Sequence, residues 1–348
     1  MTLSPAAAET ETTVVPFTAG DGMALNLHHV TGARPPSRGP VLLVHGAGVR
    51  ANIFRPPEPT TLVDALVAEG WDVWLENWRG SIEVPPNEWD LDQAAVYDHP
   101  AAVEAVLRHT GAATMKAVVH CQGSSSFVLS AVSGLLPEVD TIVSNAMSLH
   151  PVVSPLARIK IQFVVPQFAK MMPFVSPRWA LDPPSDLRAR AVVGFVRLTH
   201  RECDHTVCRM VSFTYGAGFP ALWSHDNISD ETHDWIDGEF ADVPFSFFLQ
   251  MRDSVVRGHL VTAERFSELP SSSVAQPPRT DARFVLLAGE DNECFLPESQ
   301  QRTFDFLDGH RPGYHTLHRI PGYGHLDVLF GRNAVRDTYP IILEELAR

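Results

Sequence analysis

The 348-residue chain has few cysteines, a deficit of basic side chains and no long apolar run. Four cysteines, Cys121, Cys203, Cys208 and Cys294, are too few for a disulfide framework, so we expect thiols in a reducing compartment. A formal net charge of −14 disfavours nucleic acid and anionic lipid surfaces as partners. No stretch approaches the roughly 20 apolar residues of a membrane span, and residues 1–17 lack the features of a signal peptide. We therefore expect a cytoplasmic protein without a membrane span, whose oligomeric state the sequence leaves open.

Short apolar segments and amphipathic segments alternate along the first 150 residues and again near the C-terminus. The apolar segments have the length of buried strands and span residues 41–45, 71–78, 116–121, 139–144, 283–289 and 314–320. The amphipathic segments have apolar residues at helical spacing and span 59–69, 92–109, 123–136 and 334–346. A strand hairpin around residues 20–22 precedes them. The alternation predicts an α/β fold with a mostly parallel sheet flanked by helices.

The alternation stops near residue 150, and the next 130 residues are rich in Pro, Phe, Met and His. This segment has helical periodicity and is too long for a connecting loop. We interpret it as an inserted, mainly helical cap over 151–280, between two parts of one core over 1–150 and 281–348. A Pro/Ser segment at 267–279 returns the chain to the sheet. The cap holds an apolar cluster that fits either its own core or an acyl pocket: Phe245, Phe247, Phe248 and Leu249.

Cys121 ends the predicted strand 116–121, in the run V-H-C-Q-G-S, and a helix follows it. Strand, nucleophile and helix in this order are the layout of a nucleophile elbow. A sulfur placed there lies near the unpaired N–H groups of the helix, which favour a thiolate and any nearby oxyanion. The alternatives are a buried, inert cysteine, or Ser124 as the nucleophile in place of Cys121.

Three further segments follow predicted strands. The turn H-G-A-G, residues 45–48, can direct backbone N–H groups into a cavity as an oxyanion hole. Asp291 follows the strand 283–289, and His325 lies in a glycine-flanked loop after the last strand. The chain order nucleophile, acid, histidine matches a Ser-type triad. Glu293 and Asp327 remain alternatives to Asp291, and His120 is expected to pack below the elbow rather than act as the base.

From the hairpin to the C-terminus the chain resembles an α/β-hydrolase with a cap between the sixth and seventh strands. Five segments resemble hydrolases encoded beside, or fused to, cholesterol-oxidase-like flavoenzymes: WLENWRGS, HCQGSS, ECDHTVCRMVSFTYG, ETHDWIDGEF and IPGYGHLDVLFG. Acid lipases resemble the same outline more distantly. The resemblance implies Cys121 as nucleophile, His325 as base, Asp291 as acid, and Ala47 with Gln122 as oxyanion donors. It also implies a hydrophobic acyl substrate under the cap.

Two residues depart from the common G-x-S-x-G elbow: Val119 stands where a small residue is usual, and Cys121 replaces Ser. A cysteine nucleophile forms a thioester, which can pass its acyl group to water or to another acceptor. We therefore predict hydrolysis of a hydrophobic ester or thioester, either small or carrier-bound. The alternatives are an acyltransferase or cyclising thioesterase, and a ligand-binding protein without turnover.

The segment C-D-H-T-V-C places His205 between Cys203 and Cys208. A zinc site needs two pairs of ligands at suitable spacing, and the sequence shows one such pair here. We therefore interpret the segment as helix packing in the cap and expect neither a metal nor a cofactor. His225 and His233 are expected to line the cap without a chemical role.

Overall fold

The computed structural model describes residues 10–201, 203–217, 220–263 and 265–348. Residues 1–9 of the predicted polar leader, and Glu202 of the resemblance segments, lie outside the described residues. The α/β fold expected from the sequence is confirmed. Eight strands form one sheet in the order β1-β2-β4-β3-β5-β6-β9-β10. The strands are β1 (Thr10–Thr18), β2 (Ala24–Gly32), β3 (Pro40–Val44), β4 (Asp72–Asn77), β5 (Met115–His120), β6 (Val139–Asn145), β9 (Arg283–Gly289) and β10 (Thr316–Ile320).

The sheet is parallel except at the edge formed by the N-terminal hairpin. β1 pairs antiparallel with β2, and β2 pairs antiparallel with β4. All later neighbours pair in parallel, so their carboxyl ends lie at one edge. β3 and β5 are almost wholly buried, as their continuous apolar sequence predicts. That common edge therefore carries the turns after β3, β5, β6, β9 and β10.

Helices flank the sheet and fill the connection between β6 and β9. They are α1 (Leu62–Ala68), α2 (Leu91–Gln93), α3 (His99–Thr110), α4 (Cys121–Val132), α5 (Pro155–Ile159), α6 (Val165–Ala169), α7 (Leu187–Thr199), α8 (Thr206–Tyr215), α9 (Asp230–Trp235), α10 (Phe245–Arg257), α11 (Pro297–His310), α12 (Asp327–Phe330), α13 (Ala334–Asp337) and α14 (Tyr339–Ala347). Two π-helical segments span Ala94–Asp98 and Lys160–Val164, and 3₁₀ segments span Ala51–Phe54, Pro177–Ala180, His225–Asn227 and Ile236–Gly238.

The C-terminal helix differs from its prediction. The sequence pattern indicates one helix over 334–346, but the structure has α13 and α14 with a break at Thr338. Pro340 has no backbone N–H to donate to Arg336 O, which interrupts the helical hydrogen bonds, and proline is tolerated in the first turn of a helix, so a new helix begins at Tyr339. Thr338 Oγ1 donates to Val328 O (2.6 Å) at the break, which ties the two helices to α12.

The segment between β6 and β9, residues 146–282, is called the insertion below. It holds α5 to α10 and a two-stranded antiparallel pair, β7 (Phe174–Val175) and β8 (Val243–Pro244). It contributes no strand to the eight-stranded sheet. The domain division at 150 and 280 remains a prediction. Among the described residues, no helix has both the length and the apolar character needed to cross a bilayer.

Candidate active site

Cys121 lies at the junction of β5 and α4 with a backbone φ of 55°. Non-glycine residues rarely adopt this left-handed conformation, and it costs of order 1–3 kcal/mol. The turn is also tightly packed, because a Cβ at Gly123 would lie 2.0 Å from His45 O, and one at Gly46 would lie 2.9 Å from Cys121 Cβ. Only glycine at these two positions lets the elbow and the turn after β3 meet. The strained conformation thus places the sulfur at the carboxyl edge of the sheet.

The backbone N–H groups of Ala47 and Gln122 lie near enough to the sulfur of Cys121 to lower its pKa. Two elements hold the Ala47 turn in place. Gly48 N donates to Gly80 O (3.0 Å), and the hydroxyl of Tyr215, at the end of α8, donates to Ala47 O (2.9 Å). The arrangement places two backbone donors beside the sulfur, which is where the sequence predicts an oxyanion hole.

His325 lies in the loop between β10 and α12 and is fully buried. One of its ring nitrogens, one ring nitrogen of His120 and the Cys121 sulfur all lie within 4.8 Å of one another. Asn145, the last residue of β6, donates from Nδ2 to His325 O (2.8 Å) and faces His120 Nδ1 (3.0 Å). The carbonyl of His325 can only accept a hydrogen bond, so the group of Asn145 that faces His325 O and His120 Nδ1 is its NH₂. His120 Nδ1 is therefore an acceptor, and the ring proton of His120 sits on Nε2.

Burial shifts the thiol of Cys121 and the imidazole of His325 toward their neutral forms. Loss of solvation raises the pKa of Cys121 to about 12, although the two N–H donors partly oppose that rise. The same effect lowers the pKa of His325 to about 3. Near pH 7 the two groups are therefore a thiol and a neutral imidazole.

The structure does not bring Asp291 to His325. The side chains of Asp291 and Glu293 are exposed, and among the described residues neither ring nitrogen of His325 has a hydrogen-bond partner. Asp327 is buried but accepts from Gly324 N (2.9 Å) and from Asn227 Nδ2 (2.6 Å), so it holds the histidine loop. The geometry pairs Cys121 with His325 and leaves the role predicted for Asp291 open.

The inward-facing residue of the turn after β9 is Asn292, which is 2% exposed. Its Oδ1 accepts from the backbone N–H groups of Cys294 (3.0 Å) and Phe295 (3.1 Å), while its Nδ2 has no hydrogen-bond partner. The ring of Phe295 lies 6.3 Å from the ring of His325, centroid to centroid. Asn292 thus shapes the turn that faces the histidine, in place of its acidic neighbours.

Ser124, the alternative nucleophile, is fully buried and hydrogen-bonds through its Oγ to Ser144 Oγ. Ser126, two residues on, belongs to a buried chain in which His99 Nε2 lies 2.7 Å from Ser126 Oγ and His99 Nδ1 lies 3.0 Å from the Glu76 carboxylate. This Ser-His-Glu chain has triad-like contacts, but all three side chains are 0% exposed. It joins β4, α3 and α4 and supports the elbow from below.

Cys121 opens onto an apolar cavity of about 630 Å³. The sheet edge contributes Cys121, Gln122, Cys294 and Phe295 to its lining, and the rest comes from the insertion. Of the predicted apolar cluster, Phe247 and Phe248 line this cavity, and both are also buried in the insertion's core. A mainly apolar lining with a few polar groups is typical of a small-molecule site.

A second cavity of about 390 Å³ adjoins the first, sharing Lys160, Val165, Thr214 and Phe248 in its lining. The Nζ of Lys160 lies between them and donates to Phe213 O and Gly216 O. Burial lowers the pKa of Lys160 to about 8. The two cavities therefore share one wall, to which Lys160 contributes.

Sequence patterns did not point to Asn145, Tyr215 or Lys160. Asn145 ends a strand whose pattern is otherwise apolar, and this polar strand end at the shared sheet edge was the one available signal. Tyr215 and Lys160 belong to the insertion, where local periodicity says nothing about which side chain faces the sheet. Their roles follow only from the packing of the insertion on the core.

The sequence is similar to two curated lipases or esterases over part of its length. It is 27% identical over 157 residues to Sterol esterase 2 of Saccharomyces cerevisiae, covering 38% of this chain and 29% of that one. It is 30% identical over 155 residues to Lipase 1 of Drosophila melanogaster, covering 41% of this chain and 34% of that one. The chain thus spans about a third of the length of these curated relatives.

The fold is similar to that of solved hydrolases over nearly the whole chain. A monoacylglycerol lipase of Paleococcus ferrophilus superposes with a TM-score of 0.56 at 16% identity, covering 97% of this chain and 98% of that one. The family model described as alpha/beta hydrolase fold matches residues 39–332, which include the elbow, the Ala47 turn and His325. The protein belongs to the alpha/beta hydrolase family.

Proposed function

We propose that this protein cleaves a hydrophobic ester or thioester through an acyl-cysteine formed at Cys121. One observation carries the proposal: the sulfur sits at a positive-φ elbow, receives the N–H groups of Ala47 and Gln122, and lines an apolar cavity. A nucleophile, an oxyanion hole and an acyl pocket meet at that atom. The relatives named as lipases and a sterol esterase support an ester-type substrate with an apolar part.

Attack begins from the neutral pair. The sulfur of Cys121 attacks the acyl carbon as His325 takes the thiol proton, and the N–H groups of Ala47 and Gln122 stabilise the oxyanion. The imidazolium then protonates the leaving alcohol or thiol, and a thioester remains on Cys121. In hydrolysis His325 deprotonates the incoming water, and the thiolate departs with the imidazolium proton returned to it.

We also place the chain with the cysteine-nucleophile hydrolases encoded beside, or fused to, cholesterol-oxidase-like flavoenzymes. The segment HCQGSS supports this grouping, since its cysteine has the positive φ that a nucleophile at the elbow requires. Asp291 is retained as the proposed orienting acid, to be tested by the Asp291→Asn variant. A loss of kcat without a change in KM supports that role, and an unchanged rate rejects it.

Acyl transfer is the second candidate, and one observation favours it. The cavity beside Cys121 is lined mainly by apolar side chains, and Cys121 itself is buried. Such a lining disfavours bound water beside the thioester, so an acceptor that fills the cavity can compete with water for the acyl group. Substrates bound to a carrier as thioesters suit both candidates.

Intact-protein mass spectrometry after exposure to p-nitrophenyl esters and acyl thioesters of graded chain length tests the proposal. We expect an acyl adduct on the wild type, none on Cys121→Ala, and a loss of release of about 10³-fold or more in that variant. Cys294→Ser is the matched control, because Cys294 is a second buried thiol in the same cavity. It should keep the adduct.

Decay of the adduct, with and without hydroxylamine or a small thiol, separates the two candidates. Decay in water alone, at the rate of turnover, indicates a hydrolase, whereas decay only with an acceptor indicates a transferase. Saturable ligand binding with no adduct on Cys121 would instead show a binding protein without turnover and overturn the proposal.

A further inference from the structure

The insertion brings together four side chains that are distant in the sequence: Cys203, Cys208, His225 and His233. One ligand atom from each, a sulfur or a ring nitrogen, lies within 4.8 Å of the other three. Cys203 precedes α8 and Cys208 lies in its first turn, whereas the histidines lie in the 3₁₀ segment His225–Asn227 and in α9. In the sequence only the two cysteines stand close together, and the fold brings the two histidines to them.

The spacing of these atoms fits a tetrahedral ion. Cys203 Sγ lies 3.7 Å from His233 Nε2, and Cys208 Sγ lies 3.5 Å from His225 Nε2. Zn–S bonds of about 2.3 Å and Zn–N bonds of about 2.0–2.1 Å at tetrahedral angles separate sulfur from nitrogen by about 3.6 Å. The two sulfur–nitrogen distances therefore lie on either side of the value that zinc requires.

His205 supports the cluster without joining it. Its backbone N–H donates to Cys203 Sγ (3.3 Å), and its Nδ1 accepts from the backbone N–H of Cys208 (3.3 Å). Its Nε2 lies 3.3 Å from Asp237 Oδ1. A donor to a ligand sulfur and a fixed neighbour that orients the ligand loop are typical of the shell around a bound metal.

We propose that Cys203, Cys208, His225 and His233 bind one zinc ion as a structural site. Two thiolates and two imidazoles in tetrahedral reach favour zinc, and four protein ligands leave no position open for a substrate. The site replaces the helix-packing interpretation of C-D-H-T-V-C, because that interpretation considered only one ligand pair. It stands apart from the acyl chemistry proposed for Cys121.

The ion would anchor two links between the insertion and the active site. Asn227 lies between the two histidine ligands and donates from Nδ2 to Asp327 Oδ2 and to Gly322 O, both at 2.6 Å, in the loop that carries His325. At the other end of α8 from Cys208, Tyr215 donates to Ala47 O. Zinc bound at the cluster fixes the segments from which both links extend.

Metal analysis of the full chain, purified without a histidine tag from zinc-supplemented cells, tests the proposal. We expect about one zinc per chain, and at least a tenfold loss of zinc in Cys203→Ser and Cys208→Ser. Cys121→Ser and Cys294→Ser are the controls and should keep the zinc. The first control matters because His120, Cys121 and His325 form a second group of ligand atoms within 4.8 Å.

Two further measurements guard against variants that fail to fold. Cobalt exchanged into the wild type should give the visible bands of a tetrahedral site with thiolate ligands, and Cys208→His should keep an ion while weakening those bands. In the wild type, zinc should protect Cys203 and Cys208 from alkylation. Less than about 0.1 zinc per chain with no such protection would overturn the proposal, as would zinc lost from Cys121→Ser but kept in Cys203→Ser.

Discussion

The eight-stranded sheet and the insertion are built in different ways. The sheet buries strands that are apolar on both faces, and polar groups beneath it pair with one another, as Arg79 does with Asp98. The insertion consists of short helices. It carries ten of the eleven large apolar side chains that are exposed among the described residues. The sheet edge therefore carries Cys121 and His325, whereas the insertion shapes the cavity and is attached to the turns at that edge.

Three polar contacts are among those attachments. Arg50, after the Ala47 turn, forms a two-pronged ion pair with the buried Glu239 of the insertion, at 2.7 and 3.0 Å. Tyr215 bonds to Ala47, and Asn227 bonds to the histidine loop. All three contact turns at the carboxyl edge of the sheet. Changes in the insertion therefore reach the active site through these turns.

The largest difference between the two regions should appear when an ion pair is broken in each. In Asp98→Asn the guanidinium of Arg79, which is 2% exposed, keeps only the partly exposed Asp21 as an anionic partner. We expect a loss of about 3 kcal/mol in the free energy of unfolding. The matched change Asp253→Asn, at a more exposed pair in α10, should cost less than about 0.5 kcal/mol. Urea denaturation of both variants measures the contrast, and equal losses would contradict it.

A Gly→Ala change in each region should give effects of opposite sign. In Gly123→Ala the new methyl meets His45 O at 2.0 Å, so we expect a loss of about 2 kcal/mol and much slower acylation of Cys121. In Gly194→Ala, inside α7, no atom lies within 4 Å, so we expect a gain of up to about 1 kcal/mol. Thermal unfolding and adduct formation test both. A Gly123→Ala variant that stays stable and active would contradict the close packing of the elbow against His45.

Tyr215→Phe removes one hydrogen bond between the insertion and the turn after β3 without leaving a cavity. Loss of the bond to Ala47 O should cost about 1 kcal/mol of stability. Because this bond holds the turn that carries the Ala47 N–H, the proposed oxyanion donor, we expect kcat to fall about tenfold with little change in KM. Tyr314→Phe, which removes an exposed hydroxyl that donates to Asp281 O, is the control. A rise in KM alone would place Tyr215 in substrate binding instead.

The smallest effect concerns the pH dependence of labelling at Cys121. Since burial raises its pKa to about 12, its thiolate fraction should rise about tenfold per pH unit from pH 7 to about pH 10. His325, with a pKa lowered to about 3, stays neutral throughout and adds no step. Iodoacetamide rates followed by peptide mass spectrometry measure this. A plateau below about pH 9 would show that a thiolate–imidazolium pair forms before attack.

The strands and the elbow could be predicted because their signals are local. A continuous apolar run followed by Cys121 and small residues specifies a strand, a turn and a helix in one stretch of sequence. The side chain that faces inward from the turn after β9 could not be predicted in the same way. Which residue of the turn after β9 faces inward depends on how the turn closes, and the structure turns Asn292 inward and Asp291 outward. The break at Thr338 had a local signal in Pro340.

The proposed zinc ligands show a second limit of prediction from the sequence. Cys203 and Cys208 are close in the sequence, but His225 and His233 reach them only because α9 packs beside the start of α8. No periodicity in the sequence relates the two pairs. A cluster built from the insertion's tertiary packing is visible only in three dimensions.

The pairing of β6 with β9 also constrains how the chain folds. Thr141 pairs with Arg283, so the sheet cannot close until the whole insertion has been synthesised. Closing this long loop costs entropy, about 0.6 kcal/mol more for each doubling of its length, and compact folding of the insertion shortens the distance to be closed. Until then β6 is an apolar edge strand, paired with β5 on one side and open on the other, which other chains can pair with. Fragments that end before residue 283 keep that edge open and are prone to aggregate.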